Sequence, residues 1–233
     1  MTSVAAEACP GLYGCGGLRD GEGAPLRPGG LALTEALVDL AGFHVGETVA
    51  DVGCGLGAST RLMRRLGVAA IGVDLVDSVA GEDRDAPPFV VADGARLPFA
   101  DASLDGVLCE CSLSTMADRA QALVEWRRAL RSGGRLALSD VYSRAADGPG
   151  AGRVATRAAL LSAVAAAGFR VARFEDRSEV LKRWAAQFIF QYGSLEALWG
   201  GAGGCECAAA RLAALGYFLM IAVKPGEPSA KGG

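Results

Sequence analysis

The chain has little of several features that would place it in a specialised class of protein. It contains a single histidine, His44, so few side chains can exchange protons near neutral pH. The formal net charge is only −3, which argues against a basic surface for nucleic acid. The longest apolar stretch, 212–223, is too short to cross a bilayer. We therefore expect neither a nucleic-acid partner nor a membrane partner.

The amino-terminal sequence lacks a basic start followed by an apolar run, so it does not predict a secretory signal. The default expectation is a cytoplasmic protein. Seven cysteines, an odd number, argue against a disulfide framework in such a chain. The 233 residues are enough for one large domain with a sizeable core.

The order of apolar and amphipathic segments predicts the fold. Residues 1–30 are rich in glycine and proline and predict an irregular arm, and 226–233 predict a disordered tail. Between them, over 31–225, amphipathic segments separate short apolar runs that are typical of buried strands. The runs are ETVADV, VAAIGVDL, PPFVVADG, SLDGVLCECSL, GRLALSDVY, FRVARFED and GYFLMIAVKP. This alternation predicts a single α/β domain with a doubly wound, mostly parallel sheet of seven strands.

Glycine occupies every second position after the first predicted strand, in VADVGCGLGAST (49–60). Residues without a Cβ allow a sharp turn and let a ligand approach the backbone. Gly53, Gly55 and Gly57 therefore indicate a nucleotide-like site at the end of this strand. A tight turn without a ligand is the alternative, and the same spacing also satisfies the dinucleotide fingerprint.

Acidic residues at the ends of three predicted strands favour one kind of ligand. Asp74 lies 19 residues beyond Gly55 and is placed to accept hydrogen bonds from ribose hydroxyls. Asp93, after the third strand, suits an exocyclic amine such as that of adenine. Asp51, inside the first strand, suits a cationic group and would repel a pyrophosphate. A nucleoside that carries an ammonium and a sulfonium but no phosphate fits this set.

With these motifs in this order, the sequence resembles the class I, Rossmann-like S-adenosylmethionine-dependent methyltransferases over about residues 30–225. The resemblance implies S-adenosylmethionine as cofactor and a last strand that inserts antiparallel beside the fifth. The matching stretches are VADVGCGLGAST, IGVDLVDS, VADGARLPFADASLDGVLCECSL, ALRSGGRLALSD and LGYFLMIAVKP. One departure is the short segment between Asp74 and the third strand, which carries GEDRDAPP and predicts no full crossover helix.

The resemblance also implies roles for the matched positions. Asp51 would hold the methionine ammonium, and Asp74 would bind the ribose hydroxyls. The remaining cofactor contacts would come from Gly53, Cys54, Gly55, Leu75, Asp93, Gly94 and Cys109. Cys111, Ser112 and Tyr142 would face the substrate. Arg27, in the arm, could pair with the methionine carboxylate, and the alternative is an ordinary surface arginine.

Methyl transfer from a sulfonium is an in-line displacement, so the protein mainly orients the reactants and a base is optional. His44 precedes the first strand, at the amino end of the predicted sheet and away from the site. Glu110 and Tyr142 are the candidates to orient or activate a substrate. Asp140 is a further acid at the carboxyl ends of the strands, for which we favour a structural role, bonded to loop amides.

The cysteines occur in close pairs. Strand alternation predicts that Cys109 and Cys111 share one face. Cys205 and Cys207 lie in a glycine-rich turn, and a third pair, at 9 and 15, lies in the arm. Thiolates would suit arsenic(III), another thiophilic metalloid or zinc, and SDVYSR (139–144) resembles arsenite methyltransferases. The alternative is that buried cysteines act as small hydrophobic residues.

The sequence thus predicts an enzyme that transfers a methyl group from S-adenosylmethionine to a small molecule. One alternative is a protein of the same fold that senses the cofactor or binds a thiophilic metal or metalloid without turnover. The other is an NAD-dependent oxidoreductase, against which Asp51 and the closing strand both count.

Overall fold

The computed structural model describes residues 27–76, 87–144, 154–193 and 212–226. Several sequence predictions concern segments outside these residues. They are most of the arm, the segment carrying GEDRDAPP, the cysteines at 9, 15, 205 and 207, and the tail beyond 226.

Seven strands and five α-helices make up the described fold. The strands are β1 (Thr48–Val52), β2 (Ala69–Asp74), β3 (Phe89–Val91), β4 (Leu104–Glu110), β5 (Leu130–Ser143), β6 (Arg170–Asp176) and β7 (Leu215–Val223). The helices are α1 (Gly30–Ala41), α2 (Ala58–Arg65), α3 (Arg119–Ala129), α4 (Arg157–Ala166) and α5 (Ser178–Tyr192), with a short 3₁₀ turn at Leu113–Thr115.

The strands form one sheet in the order β3-β2-β1-β4-β5-β7-β6. Strand β7 runs antiparallel to both of its neighbours, and the other pairs are parallel. This confirms the predicted α/β fold with its antiparallel last strand. The strand order reverses between β1 and β4, which is where open sheets of this kind bind ligands beyond their carboxyl ends.

Two apolar clusters cover the two faces of the sheet. On one face, Leu37 of α1 packs in the same cluster as Trp184 and Phe188 of α5. On the other, Trp126 of α3 and Val164 of α4 belong to the second cluster. Each of these side chains is almost fully buried, so the inner strands are covered on both sides, as their apolar runs predict.

Local signals fix several helix boundaries. Gly42 ends α1 in a left-handed conformation. Asp118 caps α3 by accepting a hydrogen bond from the Gln121 amide at 2.9 Å. None of the helices within the described ranges is long and apolar enough to span a bilayer.

The third helix is shorter than its sequence suggests. The amphipathic pattern predicts a helix over 116–134, whereas α3 ends at Ala129 and β5 begins at Leu130. The pairing of β5 with β4 then jumps, from Leu104 opposite Leu130 to Gly106 opposite Arg135. Gly133 and Gly134 therefore lie in an irregularity inside a long strand, because both flanks of this irregularity pair with β4.

Candidate active site

The glycine loop joins β1 to α2 at the point where the strand order reverses. Gly53 and Gly55 both have left-handed backbones, with φ of 75° and 52°. A Cβ on Gly53 would lie 2.3 Å from Ser112 Oγ, whereas a Cβ on Gly55 would meet nothing within 4 Å. Gly53 thus permits close packing within the protein, and Gly55 presents bare main chain to open space.

Asp74, at the end of β2, holds this loop in place. Its Oδ2 accepts a hydrogen bond from the Gly55 amide at 2.8 Å. Because a carboxylate has about four acceptor positions, Asp74 can still accept hydrogen bonds from a ligand. The next residue, Leu75, is 68% exposed, so an apolar side chain borders the same edge. The arrangement fits a ribose and an adjoining ring.

Asp51 lies beneath the loop and is 2% exposed. Its Oδ2 accepts a hydrogen bond from the Thr60 hydroxyl at 2.6 Å. Burial raises the pKa of Asp51 to about 7, although the Thr60 hydrogen bond works in the opposite direction. Among the described residues, Asp51 forms no ion pair. Such a buried acid is suited to receive a cationic group of a ligand.

Arg27 and Glu110 form a buried ion pair beside this acid. Arg27 Nη1 lies 3.0 Å from Glu110 Oε2, and the two side chains are 16% and 4% exposed. Burial opposes the charge of Arg27, but Glu110 leaves the pKa of the guanidinium raised. The predicted partner of Arg27 was a ligand carboxylate, and in the structure its partner within the protein is Glu110.

Hydroxyl groups surround Glu110, including that of Ser139, which donates to Oε1 at 3.4 Å. Ser59 donates to Oε2 at 2.6 Å, and Thr34 donates to the same oxygen at 3.1 Å. Arg27 donates in turn to both hydroxyl oxygens. Glu110 thus joins the segment before α1, α1 itself and α2 to the end of β4. This set of contacts is typical of a positioning residue rather than of a free proton acceptor.

Ser112 follows β4 and touches the glycine loop. Its hydroxyl lies 3.1 Å from the carbonyl oxygen of Gly53 and 3.0 Å from that of Glu110, to both of which it can donate. Ser112, which is predicted to contact the substrate, is therefore half-buried, and its hydroxyl is already bonded to the glycine loop. Any ligand above Gly55 would meet a loop fixed by Ser112 on one side and by Asp74 on the other.

The prediction that Cys109 and Cys111 share one face is wrong. Cys109 packs in the cluster that contains Trp126, and Cys111 packs in the opposite cluster. Strand β4 ends at Glu110, and Cys111 has a left-handed backbone with φ of 56°, so the alternation of a strand does not extend to it. Cys111 Sγ instead lies 2.9 Å from the Tyr217 hydroxyl.

Within the described ranges, no group of three or more candidate ligands is placed to hold a metal ion. The thiols of Cys54 and Cys109 have pKa values raised by burial, so both favour the neutral form, which is a poor metal ligand. Cys54 lies in the glycine loop and is half-buried.

Tyr142 and Asp140 lie near the carboxyl end of β5 and have partners within the protein. The Tyr142 hydroxyl donates to Asp176 Oδ2 at 2.6 Å. Asp140 accepts from the Ser114 amide and hydroxyl, each at 2.8 Å, which is the loop-bonded arrangement favoured for it from sequence. Burial raises the pKa of Asp140 to about 6, against the Ser114 hydrogen bonds.

The remaining sequence candidates lie at two ends of the sheet. Asp93 is exposed after β3 and accepts a hydrogen bond from the Ala95 amide at 2.9 Å, while Gly94 is buried. These two residues border the edge where an adenine ring is predicted. His44 precedes β1, in the turn after α1, and so lies at the amino end of the sheet.

The sequence indicates no role in the site for Thr34, Ser59 or Thr60, which donate hydrogen bonds to the buried acids. Ser59 and Thr60 end the quoted stretch VADVGCGLGAST, so a signal was present: two adjacent hydroxyls in the first turn of the helix that follows the glycines. No local signal marks Thr34, because its contact with Glu110 spans 76 positions of sequence.

The charged side chains beside the glycine loop distinguish between the candidate ligands. Asp51 and Asp74 line the glycine loop, and the nearby Arg27 is paired with Glu110. A pyrophosphate would therefore be repelled by two acids beside the loop. A nucleoside with a cationic amino-acid group fits these residues, which counts against the dinucleotide alternative.

Comparisons with known proteins agree with this geometry. Residues 50–138 match a family described as a methyltransferase domain. Methyltransferase GfsG of Streptomyces halstedii is 37% identical over 132 residues, which cover 52% of this chain and 47% of that protein. The 27-O-demethylrifamycin SV methyltransferase of Amycolatopsis mediterranei strain S699 is 34% identical over 134 residues, covering 53% and 49%. The chain spans about half the length of the curated relatives it matches.

Among solved structures, the 4+2 cyclase SpnF superposes with a TM-score of 0.67 and 26% identity, covering 83% of this chain and 80% of that one. The match includes most of the chain. Together with the domain match, it confirms the predicted resemblance to Rossmann-like methyltransferases.

Proposed function

We propose, from the premise that residues 50–138 form a methyltransferase domain, that this protein transfers a methyl group from S-adenosylmethionine to a small-molecule acceptor. The observation that carries the proposal is the glycine loop with its two acids: open main chain at Gly55, flanked by Asp74 and by the buried Asp51. This arrangement suits a phosphate-free nucleoside with a cationic group.

Different residues in and around the glycine loop would contact different parts of the cofactor. Asp51 would hold the ammonium group, and Gly53, Cys54 and Gly55 would face the methionine moiety with their backbone. Asp74 would accept hydrogen bonds from the ribose hydroxyls while it keeps its hydrogen bond from the Gly55 amide. The exposed Leu75 would cover one face of the adenine. Further contacts would come from Asp93, Gly94 and Cys109.

The bound cofactor supplies an activated methyl group on a sulfonium, which is displaced in line by the acceptor. The protein's part is to orient the acceptor and to exclude water. Glu110 is 7% exposed, accepts hydrogen bonds from three hydroxyls and forms an ion pair with Arg27. Glu110 is therefore suited to hold the surrounding elements of the site in position. Loss of the acceptor's proton would depend on the acidity of the acceptor itself.

The acceptor is inferred to be small. One relative is named for a 27-O-demethylrifamycin SV substrate, which is a small molecule methylated on oxygen. The acceptor would lie at the carboxyl ends of β4 and β5, where Cys111, Ser112 and Tyr142 are found.

Calorimetry with S-adenosylmethionine, S-adenosylhomocysteine and NADH tests the proposal. We expect both sulfur nucleosides to bind and NADH not to bind. Incubation of the protein with methyl-labelled cofactor and a panel of phenols, alcohols, thiols and arsenite, followed by mass spectrometry, then tests turnover.

A second candidate is a protein that binds the cofactor without methyl transfer. The observation that favours it is the likeness to a structure named as a cyclase rather than a methyltransferase. Tight binding of S-adenosylmethionine without label transfer to any acceptor in the panel or in a cell extract would support this candidate. Absence of binding would reject both.

A further inference from the structure

Two acids lie under the glycine loop. Asp51 and Glu110 are both almost fully buried, and Arg27 is a positive group that acts on both. The 3.0 Å ion pair commits Arg27 to Glu110. If Asp51 were ionised, one negative charge would remain buried without a counter-charge, which is a costly state in a low-dielectric interior.

The immediate neighbours of Asp51 offer little to stabilise that charge. In the sheet it lies between Gly72 of β2 and Leu108 of β4, neither of which carries a charge. From α2 it receives the hydroxyl of Thr60 at 2.6 Å. One good hydrogen bond offsets only part of the desolvation of a carboxylate.

The other titratable groups around Asp51 do not supply a counter-charge. The Cys54 thiol in the glycine loop and the Cys109 thiol of β4 both interact electrostatically with Asp51. Burial raises the pKa of each thiol. They are neutral near pH 7 and add no positive charge. Glu110 at the end of β4 acts in the direction of protonating Asp51.

We propose that Asp51 carries a proton in the ligand-free protein near neutral pH, and that the ammonium group of the bound nucleoside displaces this proton to solvent. This inference rests on the proposed function, because it requires a ligand with an ammonium group at Asp51. The protonated acid becomes a carboxylate paired with the intact ammonium, and no covalent bond of the ligand forms or breaks. The site therefore couples ligand affinity to pH.

The direction of the coupling follows from the charge balance. At a pH where Asp51 is protonated in the free protein, each bound ligand releases about one proton, and affinity rises about tenfold per pH unit. Above the pH at which Asp51 ionises in the free protein, about pH 7, release ceases and affinity becomes independent of pH. This plateau is expected to end only where the ligand's own ammonium loses its proton.

The test measures proton release directly. S-adenosylhomocysteine is titrated into the protein by calorimetry at pH 6 and pH 8.5, in pairs of buffers with different ionisation enthalpies. We expect about one proton released at pH 6 and almost none at pH 8.5, with a dissociation constant roughly tenfold weaker at pH 6. As a control ligand, 5′-methylthioadenosine lacks the ammonium group and should release no proton at either pH.

Two variants assign the proton. Asp51→Asn should abolish both the release at pH 6 and the change in affinity. Asp140→Asn is the matched control: it removes a second buried carboxyl group whose pKa is raised, to about 6, and should keep the release. If Asp51→Asn does not fold, the wild-type buffer series and the Asp140→Asn protein still decide the outcome.

The outcomes separate the two proposals. Binding of S-adenosylhomocysteine at pH 6 without proton release would overturn the inference and leave the proposed function intact. Release that disappears in Asp140→Asn would also overturn it. Failure of S-adenosylhomocysteine to bind at any pH would reject the proposed function and the inference with it.

Discussion

Ser59 and Thr60 are neighbours in the first turn of α2, yet their hydroxyls bind two different buried acids. Ser59 donates to Glu110 and Thr60 donates to Asp51, each at 2.6 Å. One short helical turn thereby fixes both acids under the glycine loop. The position of α2 and the electrostatics of the site are thus determined together.

The two glycines of the loop should respond differently to alanine. Both Gly53→Ala and Gly55→Ala place a side chain on a left-handed backbone, at a cost of about 1–2 kcal/mol each. Gly53→Ala should lose more stability, because its Cβ would collide with Ser112. Gly55→Ala should lose affinity for S-adenosylhomocysteine, because its Cβ enters the open space. Urea unfolding and calorimetry measure the two effects, and equal losses of stability would contradict the packing role of Gly53.

Asp74→Ala should weaken binding of S-adenosylhomocysteine by about 1–3 kcal/mol, because the ribose hydroxyls would lose their acceptor. Loss of the bond to the Gly55 amide should also loosen the loop. Glu179→Ala, on the outer surface of α5, is the control and should bind as the wild type does. Unchanged affinity in Asp74→Ala would show that the ribose lies elsewhere.

Arg27→Met should destabilise the fold by about 3–5 kcal/mol, because it leaves the carboxylate of Glu110 buried without a counter-charge. The double variant Arg27→Met with Glu110→Gln removes that charge and should recover part of the loss. Urea unfolding at pH 7 measures both, and Arg65→Met, an exposed position on α2, is the control. A double variant whose loss equals the sum of the single losses would show that the two residues are not coupled.

Tyr142→Phe should reduce stability above about pH 4, and its difference from the wild type should shrink as the pH falls toward 2. Burial opposes the charge of Asp176, but hydrogen bonds from Ser178 and Tyr142 lower its pKa to about 2. Because this value is below the ordinary pKa of about 3.9, the stabilisation is present above about pH 4 and is lost as the pH falls toward 2. Removing the hydroxyl should raise the pKa of Asp176 and shrink the stabilisation, without altering the stabilising effect of other groups. Acid unfolding curves of the two proteins test this.

The same variant also tests the predicted substrate role of Tyr142. Since its hydroxyl already donates to Asp176, we expect methyl transfer by Tyr142→Phe to change little. A large loss of turnover with wild-type stability at pH 7 would instead favour a catalytic role.

The sequence was informative wherever the signal is local. Apolar runs predict all seven strands. The reason applies to the inner strands β1 and β4, because a buried parallel strand needs apolar side chains on both faces. Strands β3 and β6 are more exposed. The glycine spacing in 53–57 predicts the loop, because only glycine tolerates its backbone. Asp51 and Asp74 were found as candidates because each ends a run of this kind. Helix α3 was overestimated because its amphipathic pattern continues past Ala129, and only the pairing of β5 ends it.

Contacts between distant parts of the chain were decided by the tertiary structure alone. The pairing of Arg27 with Glu110 joins positions 83 residues apart, and no periodicity marks it. Cys109 and Cys111 point into opposite clusters because the strand ends between them, which a sequence of apolar residues does not reveal. The sequence by itself thus determined which segments form strands, their order along the chain and the position of the glycine loop. The fold decided which buried charges are neutralised, because that depends on which side chains meet once the helices pack on the sheet.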